Sequence, residues 1–116
     1  MREPEVVSHF IRWLEEEDWS CRQEVDGCDV VAERGGATLY AEAKGDTKAI
    51  GLDVDTLYGQ LLRRSPSVGG STTLGVVVPE SARAKALRVS PLNRSQLGIV
   101  VFLVAEDGSI EEVGGS

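Results

Sequence analysis

Apolar residues in the N-terminal segment recur every three or four positions, which is the spacing of one helix face. The spacing runs from Val6 to Leu14 and predicts a helix from Pro4 to about Glu17. Proline suits the first turn of a helix, because the N–H that it lacks has no partner within the helix there. A short strand over Ser20–Val25 and a turn at Asp26-Gly27 are predicted to follow.

Alternation replaces helical spacing between Asp29 and Lys44. The Gly35-Gly36 dipeptide in the middle suits the positive φ angles of a two-residue turn, so this stretch predicts a β-hairpin. Pairing outward from the turn places Asp29 opposite Glu42 on one face, and Lys44 lies on that face too. The other face is apolar and is predicted to pack under helices; it carries Val30, Ala32, Leu39, Ala41 and Ala43.

Alternating helices and strands are predicted for the second half of the chain. A helix between the third and fourth strands allows a parallel crossover, so we expect a mixed central sheet flanked by helices. The whole chain, residues 1–116, is predicted to be one α/β domain. The predicted elements are a loop (45–52), a helix with Asp53 as its N-cap (53–64), a Pro/Gly/Ser linker (65–71), a strand (72–78), a short helix capped by Ser81 (82–89), a strongly apolar strand (98–105), a last strand (109–113) and a disordered end (114–116).

The length and composition fit a single cytoplasmic domain. A chain of 116 residues can bury one core but not two. No apolar run approaches the ~20 residues of a membrane span. The first residues lack the apolar segment of a signal peptide, so we expect a cytoplasmic location and no membrane partner. In that compartment Cys21 and Cys28 are expected to be free thiols, because cytosolic disulfides are rare.

The charge of the chain is negative and unevenly distributed. A net charge of −7 argues against broad, nonspecific binding of nucleic acid, which normally relies on basic surface. Acidic residues concentrate between Glu3 and Asp29 and between Glu106 and Glu112. The middle of the chain has the opposite bias and could present a local positive face, with Lys44, Lys48, Arg63, Arg64, Arg83, Lys85, Arg88 and Arg94.

The pairing of Asp29 with Glu42 suggests a metal site. Like charges directly opposite each other in a sheet are unfavourable unless something stabilises them, and a divalent cation would do so. Mg²⁺ prefers oxygen ligands and keeps several waters, and the backbone carbonyl of Ala43 is a further oxygen donor. A metal-bound water is more acidic and can attack a phosphodiester, and Lys44 is placed to orient that water or to offset phosphate charge.

Asp29 followed by Glu42-Ala43-Lys44 resembles the motif of the PD-(D/E)XK nuclease superfamily, also called restriction-endonuclease-like. The likeness covers roughly residues 3–80 and is greatest to small members such as Holliday-junction resolvases and the nuclease domains of methylation-dependent restriction enzymes. It implies an αβββαβ core and an endonuclease that hydrolyses DNA with Mg²⁺, or with Mn²⁺ as a substitute. Cys28 stands where the name-giving proline of the motif would be.

The resemblance also assigns supporting residues. Many members carry an acidic residue in the first helix, matched by Glu5 or alternatively Glu3, as a metal ligand beside Asp29, Glu42 and Ala43. Many also carry a glutamine in the helix after the motif, matched by Gln60, so the expected catalytic set is Asp29, Glu42, Lys44 and Gln60. Lys48, Arg63 and Arg64 are the expected nucleic-acid contacts.

Three alternatives to a DNA nuclease follow from the same residues. The charged positions could be no more than the solvated face of a strand. The fold could serve as a noncatalytic binding or assembly module, which the acidic composition favours. The substrate could also be RNA. Because so small a domain offers little surface for DNA, we expect a homodimer or docking onto a larger protein partner.

Overall fold

One mixed β-sheet organises the protein in its computed structural model, which describes residues 1–64 and 70–114. The sheet has six strands within these residues, and the predicted α/β class is confirmed. Residues 65–69 of the predicted linker (65–71) and the last two residues of the predicted disordered end lie outside the described residues. The elements are α1 (Glu3–Glu16), β1 (Ser20–Val25), β2 (Cys28–Arg34), β3 (Ala37–Ala43), α2 (Ile50–Leu62), β4 (Thr72–Pro79), a 3₁₀ turn (Glu80–Ala82), α3 (Arg83–Ala86), α4 (Pro91–Leu97), β5 (Ile99–Val104) and β6 (Ile110–Val113).

The strands lie in the sheet in their sequence order. β1, β2 and β3 are antiparallel neighbours, β3, β4 and β5 run parallel, and β6 is antiparallel to β5. Parallel neighbours need a crossover connection, and α2 supplies it between β3 and β4. The predicted mixed sheet is therefore confirmed.

The β2–β3 hairpin has the register that its turn predicts. Gly35 and Gly36 have φ angles of +53° and +86°, which side chains with a Cβ rarely adopt. Pairing runs from Arg34↔Ala37 to Val30↔Ala41, so the next position along the ladder brings Asp29 to Glu42. This register decides which side chains share the end of the hairpin.

Helices cover both faces of the sheet and create two cores. The predicted apolar face of the hairpin packs under α1, through Val6, Phe10 and Leu14. The other face packs under α2, α3 and α4, through Val54, Leu57, Leu61 and Ala86, among others. Strands buried on both faces read as continuous apolar runs, which explains the uninterrupted composition of β4 and β5. No helix in residues 1–64 and 70–114 is long and apolar enough to cross a membrane.

The prediction that α2 begins after an Asp53 N-cap is wrong. The helix begins at Ile50, and its N-cap Ala49 makes no side-chain capping bond. Ile50 packs partly buried against the core under α2, so apolar packing extends the helix into residues predicted as a loop. Asp53 lies in the first turn, where its charge suits the positive helix end and its carboxylate accepts a hydrogen bond from the Thr47 hydroxyl.

The segment between β4 and β5 contains two short helices rather than one. Ser81 does not cap α3; its hydroxyl donates instead to Asp46 Oδ1 at 2.6 Å. α4 was missed, although its signals are present in the sequence. Ser90 caps it by accepting a hydrogen bond from the Asn93 N–H at 3.3 Å, proline follows at the first position, and Gly98 ends it with a φ of +70°.

Gly45 lies against the N-terminal end of α1. A Cβ built on Gly45 would stand 2.3 Å from the backbone N of Glu3 and 2.6 Å from the carbonyl carbon of Arg2. The neighbouring Asp46 N–H donates to the Met1 carbonyl oxygen at 2.7 Å. The chain leaving β3 is therefore pressed against the start of α1, and this contact fixes α1 next to Lys44.

Substituting Gly45 with alanine should destabilise the protein, whereas the same change at Gly59 should not. Gly45→Ala forces backbone apart, and we expect a loss of about 1–3 kcal/mol in the free energy of unfolding. Gly59 is exposed within α2 with nothing within 4 Å of its Cβ position. Gly59→Ala should add about 0.5–1 kcal/mol through helix propensity. Urea unfolding of both variants measures the difference, and equal stabilities would contradict the close approach at Gly45.

Candidate functional site

Asp29 and Glu42 form a pair of carboxyl groups at the end of the β2–β3 hairpin remote from its turn. Asp29 Oδ2 accepts a hydrogen bond from the backbone N–H of Ala43 at 2.8 Å, which holds the carboxylate toward β3. Glu42 is only 3% exposed. The predicted encounter of the two carboxyl groups is present, and one of the two is buried.

The environment of Glu42 makes it a weak acid. Burial raises the pKa of Glu42 most, because the ionised form loses its hydration. The charge of Asp29 and a hydrogen bond between the two carboxyl groups raise it further, while Arg64 lowers it, and the result is a pKa of about 7. Near neutral pH the pair therefore retains a proton that a bound cation could replace.

Lys44 follows directly after β3 and is held by α1. Its backbone N–H donates to the Val77 carbonyl at 3.1 Å, continuing the β3–β4 ladder. Its ammonium Nζ lies 3.8 Å from Glu3 Oε1, and both side chains are partly exposed. A partly exposed ion pair of this kind is weak, so the Lys44 ammonium can change partners when an anion approaches.

The structure places Glu3, rather than Glu5, at the carboxylate pair's end of α1. Glu3 pairs with Lys44 and lines a cavity together with Asp29, whereas Glu5 is exposed and does not line that cavity. In residues 1–64 and 70–114, no three His, Cys, Asp or Glu side chains are grouped so that they could hold a metal ion together. Glu5 therefore does not lie with the other predicted metal ligands. The predicted ligands that remain together are the carboxyl groups of Asp29 and Glu42 and the Ala43 carbonyl.

An acidic groove opens on the α1 side of the pair. This cavity of about 410 Å³ lies between α1 and β1. Its charged lining is mostly negative, and Arg12 is the cation among the residues that line it. A polyanion would be repelled along this groove. The acidic lining residues are Glu3, Glu15, Glu24 and Asp29.

An arginine groove opens on the α2 side. This cavity of about 330 Å³ brings Gln60, Arg63 and Arg64 together with Glu42. Arg64 lies with its guanidinium carbon 5.5 Å from the centre of the Tyr40 ring and donates to the Asp26 carbonyl. Gln60 of α2 and the two arginines that directly follow the helix thus meet at one wall of the site.

Lys48 does not lie where the sequence predicts it, and two residues near the site, Arg12 and Glu24, were not predicted. Lys48 is exposed in the loop before α2 and does not line the arginine groove. Arg12 and Glu24 line the acidic groove without having been singled out. No local signal marks them, because their position depends on how α1 lies across β1.

Comparison of the chain with family models, with curated proteins and with solved structures found no match.

The raised pKa of Glu42 predicts a pH dependence of stability in the metal-free protein. A group whose folded pKa lies above its unfolded value stabilises the fold fully below the unfolded pKa, and this stabilisation is lost as pH rises through the folded pKa. For Glu42 the window runs from the ordinary value of 4.5 to about 7. The variant Glu42→Gln lacks this loss, so its stability relative to wild type should rise by on the order of 2 kcal/mol across the window.

The measurement is chemical unfolding in EDTA at several pH values on both sides of that window. Glu33→Gln is the matched control, because Glu33 lies on the neighbouring strand β2 but is exposed and paired with Arg22. If wild type and Glu42→Gln lose stability in parallel as pH rises, the pKa of Glu42 is not raised.

Proposed function

We propose that the protein is a metal-dependent endonuclease that hydrolyses phosphodiester bonds of DNA. The observation that carries the proposal is the contact between the carboxyl groups of Asp29 and buried Glu42 at the open end of the hairpin. The element order from α1 through three strands, α2 and β4 agrees with the αβββαβ core of restriction-endonuclease-like nucleases. Lys44 at the end of β3 completes the Glu-X-Lys motif that this family uses.

The donors at the pair suit Mg²⁺. This ion is commonly held by one or two carboxylates and keeps several of its waters. Asp29 and Glu42 would hold it with the Ala43 carbonyl, and Mn²⁺ accepts the same oxygen ligands. When bound, the ion supplies an acidic water and neutralises charge that develops on the phosphate. The proton retained by the pair is the charge that such an ion would displace.

The protein's own side chains supply binding and orientation. The Lys44 ammonium, 3.8 Å from Glu3, is close to the open end of the hairpin and can turn from Glu3 to a phosphate oxygen. Gln60 lines the same groove as Glu42 and can donate through its amide to the nucleophilic water or to the phosphate. Arg63 and Arg64 offer guanidinium groups that match phosphate geometry.

The two grooves give the site a direction. The arginine groove has Arg63 and Arg64 beside Asp26 and the proton-retaining Glu42, whereas the acidic groove has four carboxylates beside Arg12, so a phosphate is repelled less in the arginine groove and finds two guanidinium groups there. We therefore propose that the DNA backbone reaches the carboxylate pair across the C-terminal end of α2 and not across α1. A protein of net charge −7 can bind a polyanion in this way, because nearby charges act more strongly than distant ones that salt screens.

A noncatalytic binding or assembly module is the second candidate. The acidic groove beside Asp29 favours it, because this wall of the site would repel a nucleic acid. Such a module has no use for a carboxyl pair with one buried member and an adjacent lysine. Cleavage assays separate the two functions, and an RNA substrate in the same assay separates RNA from DNA.

Removing either carboxylate should abolish cleavage. We expect the wild-type protein to nick or cut linear, nicked or branched DNA only with Mg²⁺ or Mn²⁺. Asp29→Asn and Glu42→Gln should lower the rate at least about 100-fold through loss of metal binding, and Lys44→Ala should lower it at saturating metal. Gel-based cleavage with the exposed-carboxyl variant Glu33→Gln as control measures these rates.

Absence of metal-dependent cleavage of every DNA and RNA substrate would overturn the catalytic proposal and favour the binding module. Cleavage that all three site variants retain would show contamination or a different active site. Mg²⁺-dependent protection against thermal unfolding, present in wild type and absent in Asp29→Asn, tests metal binding without reference to activity.

Substitutions in the arginine groove should weaken DNA binding and reduce its dependence on salt. Each phosphate contact that is lost lowers the slope of log K against log salt by about 0.9 for duplex DNA. Arg63→Gln and Arg64→Gln should each show this change, measured by fluorescence anisotropy in Ca²⁺. Arg12→Gln removes the same charge from the acidic groove and should leave the slope unchanged. An equal effect of all three variants would contradict the proposed path of the DNA.

A further inference from the structure

An aromatic cavity lies at the end of the sheet opposite the carboxylate pair. It has a volume of about 370 Å³ and is lined by Trp13, Trp19 and Phe102, with Val100 and Leu39 among the apolar residues of its wall. Val100 and Leu39 stand near the starts of β5 and β3, whereas the carboxylate pair lies where β3 ends. The cavity is therefore a separate feature that the proposed chemistry does not use.

The cavity exists because α1 covers its face of the sheet only in part. α2, α3 and α4 all pack on the other face, and α1 is the helix of this face in the described residues. The Phe10 ring contacts Phe102 at a centroid distance of 4.8 Å, and Trp13 contacts Phe102 at 5.7 Å. Phe102 itself is buried, but Trp13, Trp19 and Val100 are only partly buried, so apolar surface of these three side chains remains accessible in the cavity wall.

The rim of the cavity is acidic. Glu17 and Glu112 belong to its wall, and both are exposed. The run Glu15-Glu16-Glu17-Asp18 ends α1, where the helix dipole adds further negative potential. Arg34 is the cation of the lining, where it donates to the Glu17 carbonyl at 2.7 Å and lies 4.5 Å from the Trp19 ring centre; its charge offsets one of the two carboxylates, so the lining keeps a net negative charge.

We propose that the aromatic cavity is the docking site for a cationic amphipathic helix of another protein. Large apolar side chains on one face of that helix enter the cavity against Trp13 and Val100, and lysines or arginines flanking them meet Glu17 and Glu112. A second copy of this chain is disfavoured as the occupant, because two chains of charge −7 repel each other and the rim adds to that repulsion. The site lies away from the carboxylate pair, so a partner could bind here while DNA occupies the arginine groove.

The two tryptophans of the protein make occupancy measurable. Both lie in the wall of the cavity, so all intrinsic tryptophan fluorescence reports on it. The probe is a tryptophan-free synthetic peptide of about 18 residues, with leucine at helical spacing and lysine elsewhere. We expect a saturable shift of the emission, and a second peptide with serine in place of leucine should bind at least about tenfold more weakly.

Two variants locate the binding. Val100→Lys places a charge in the cavity wall, and Glu112→Lys reverses a rim charge at the surface, where it should not affect folding. Each should weaken peptide binding at least about tenfold. Glu106→Lys is the matched control, because it makes the same change in net charge at an exposed position outside the cavity wall. Circular dichroism checks that Val100→Lys folds. If Val100→Lys does not fold, the affinity of Glu112→Lys for the peptide tests the proposal.

The proposal is overturned if Glu106→Lys and Glu112→Lys bind the leucine peptide with equal affinity, or if the wild-type protein binds the serine and leucine peptides equally. Either result would mean that general charge attraction accounts for the binding. An unchanged tryptophan emission at saturation would place the peptide elsewhere and overturn it too. Self-association of the wild-type protein in sedimentation, abolished by Val100→Lys, would assign the surface to a second copy instead. None of these outcomes depends on nuclease activity.

Discussion

The register of the β2–β3 hairpin is the constraint on which the candidate site depends. Two glycines with positive φ set a two-residue turn, and strict alternation then carries the pairing outward to the far end of both strands. A slip of one residue between the two strands would move the side chains of one strand to the opposite face. Asp29 and Glu42 would then lie on opposite faces of the sheet and the slipped strand would lose its apolar residues from the core under α1, so the same register produces both the core and the carboxyl pair.

Two neighbouring carboxyl groups, one of them buried, destabilise the fold when both are ionised, and contacts from the surrounding residues offset part of this cost. The Ala43 N–H holds Asp29, while Arg64 offsets part of the negative charge on Glu42. These contacts do not cancel the cost of burial, because the pKa of Glu42 still rises to about 7. A buried carboxyl group whose charge is only partly compensated destabilises the fold near neutral pH. A pKa perturbed in this way is typical of catalytic and ligand-binding sites.

Local sequence signals predicted the hairpin pairing well because turn chemistry and alternation act over a few residues. The choice between Glu3 and Glu5 could not be made in this way. It depends on how α1 rotates as Val6 and Phe10 pack on the sheet, which is a tertiary effect. Burial of Ile50 likewise overrode a local capping signal at the start of α2. The missed helix α4 is different, since its capping residues were visible in the sequence.

Segregation of charge reconciles an acidic protein with a proposed polyanionic substrate. Acidic residues collect along α1 and at the aromatic cavity, while Arg63 and Arg64, which follow α2, lie beside Glu42. At physiological salt, charges separated by more than about 8 Å are largely screened, so the sign of the nearest groove governs the approach of a phosphate. The net charge of −7 then describes surfaces other than the one that DNA would contact. This negative charge on the remaining surface favours basic protein partners there.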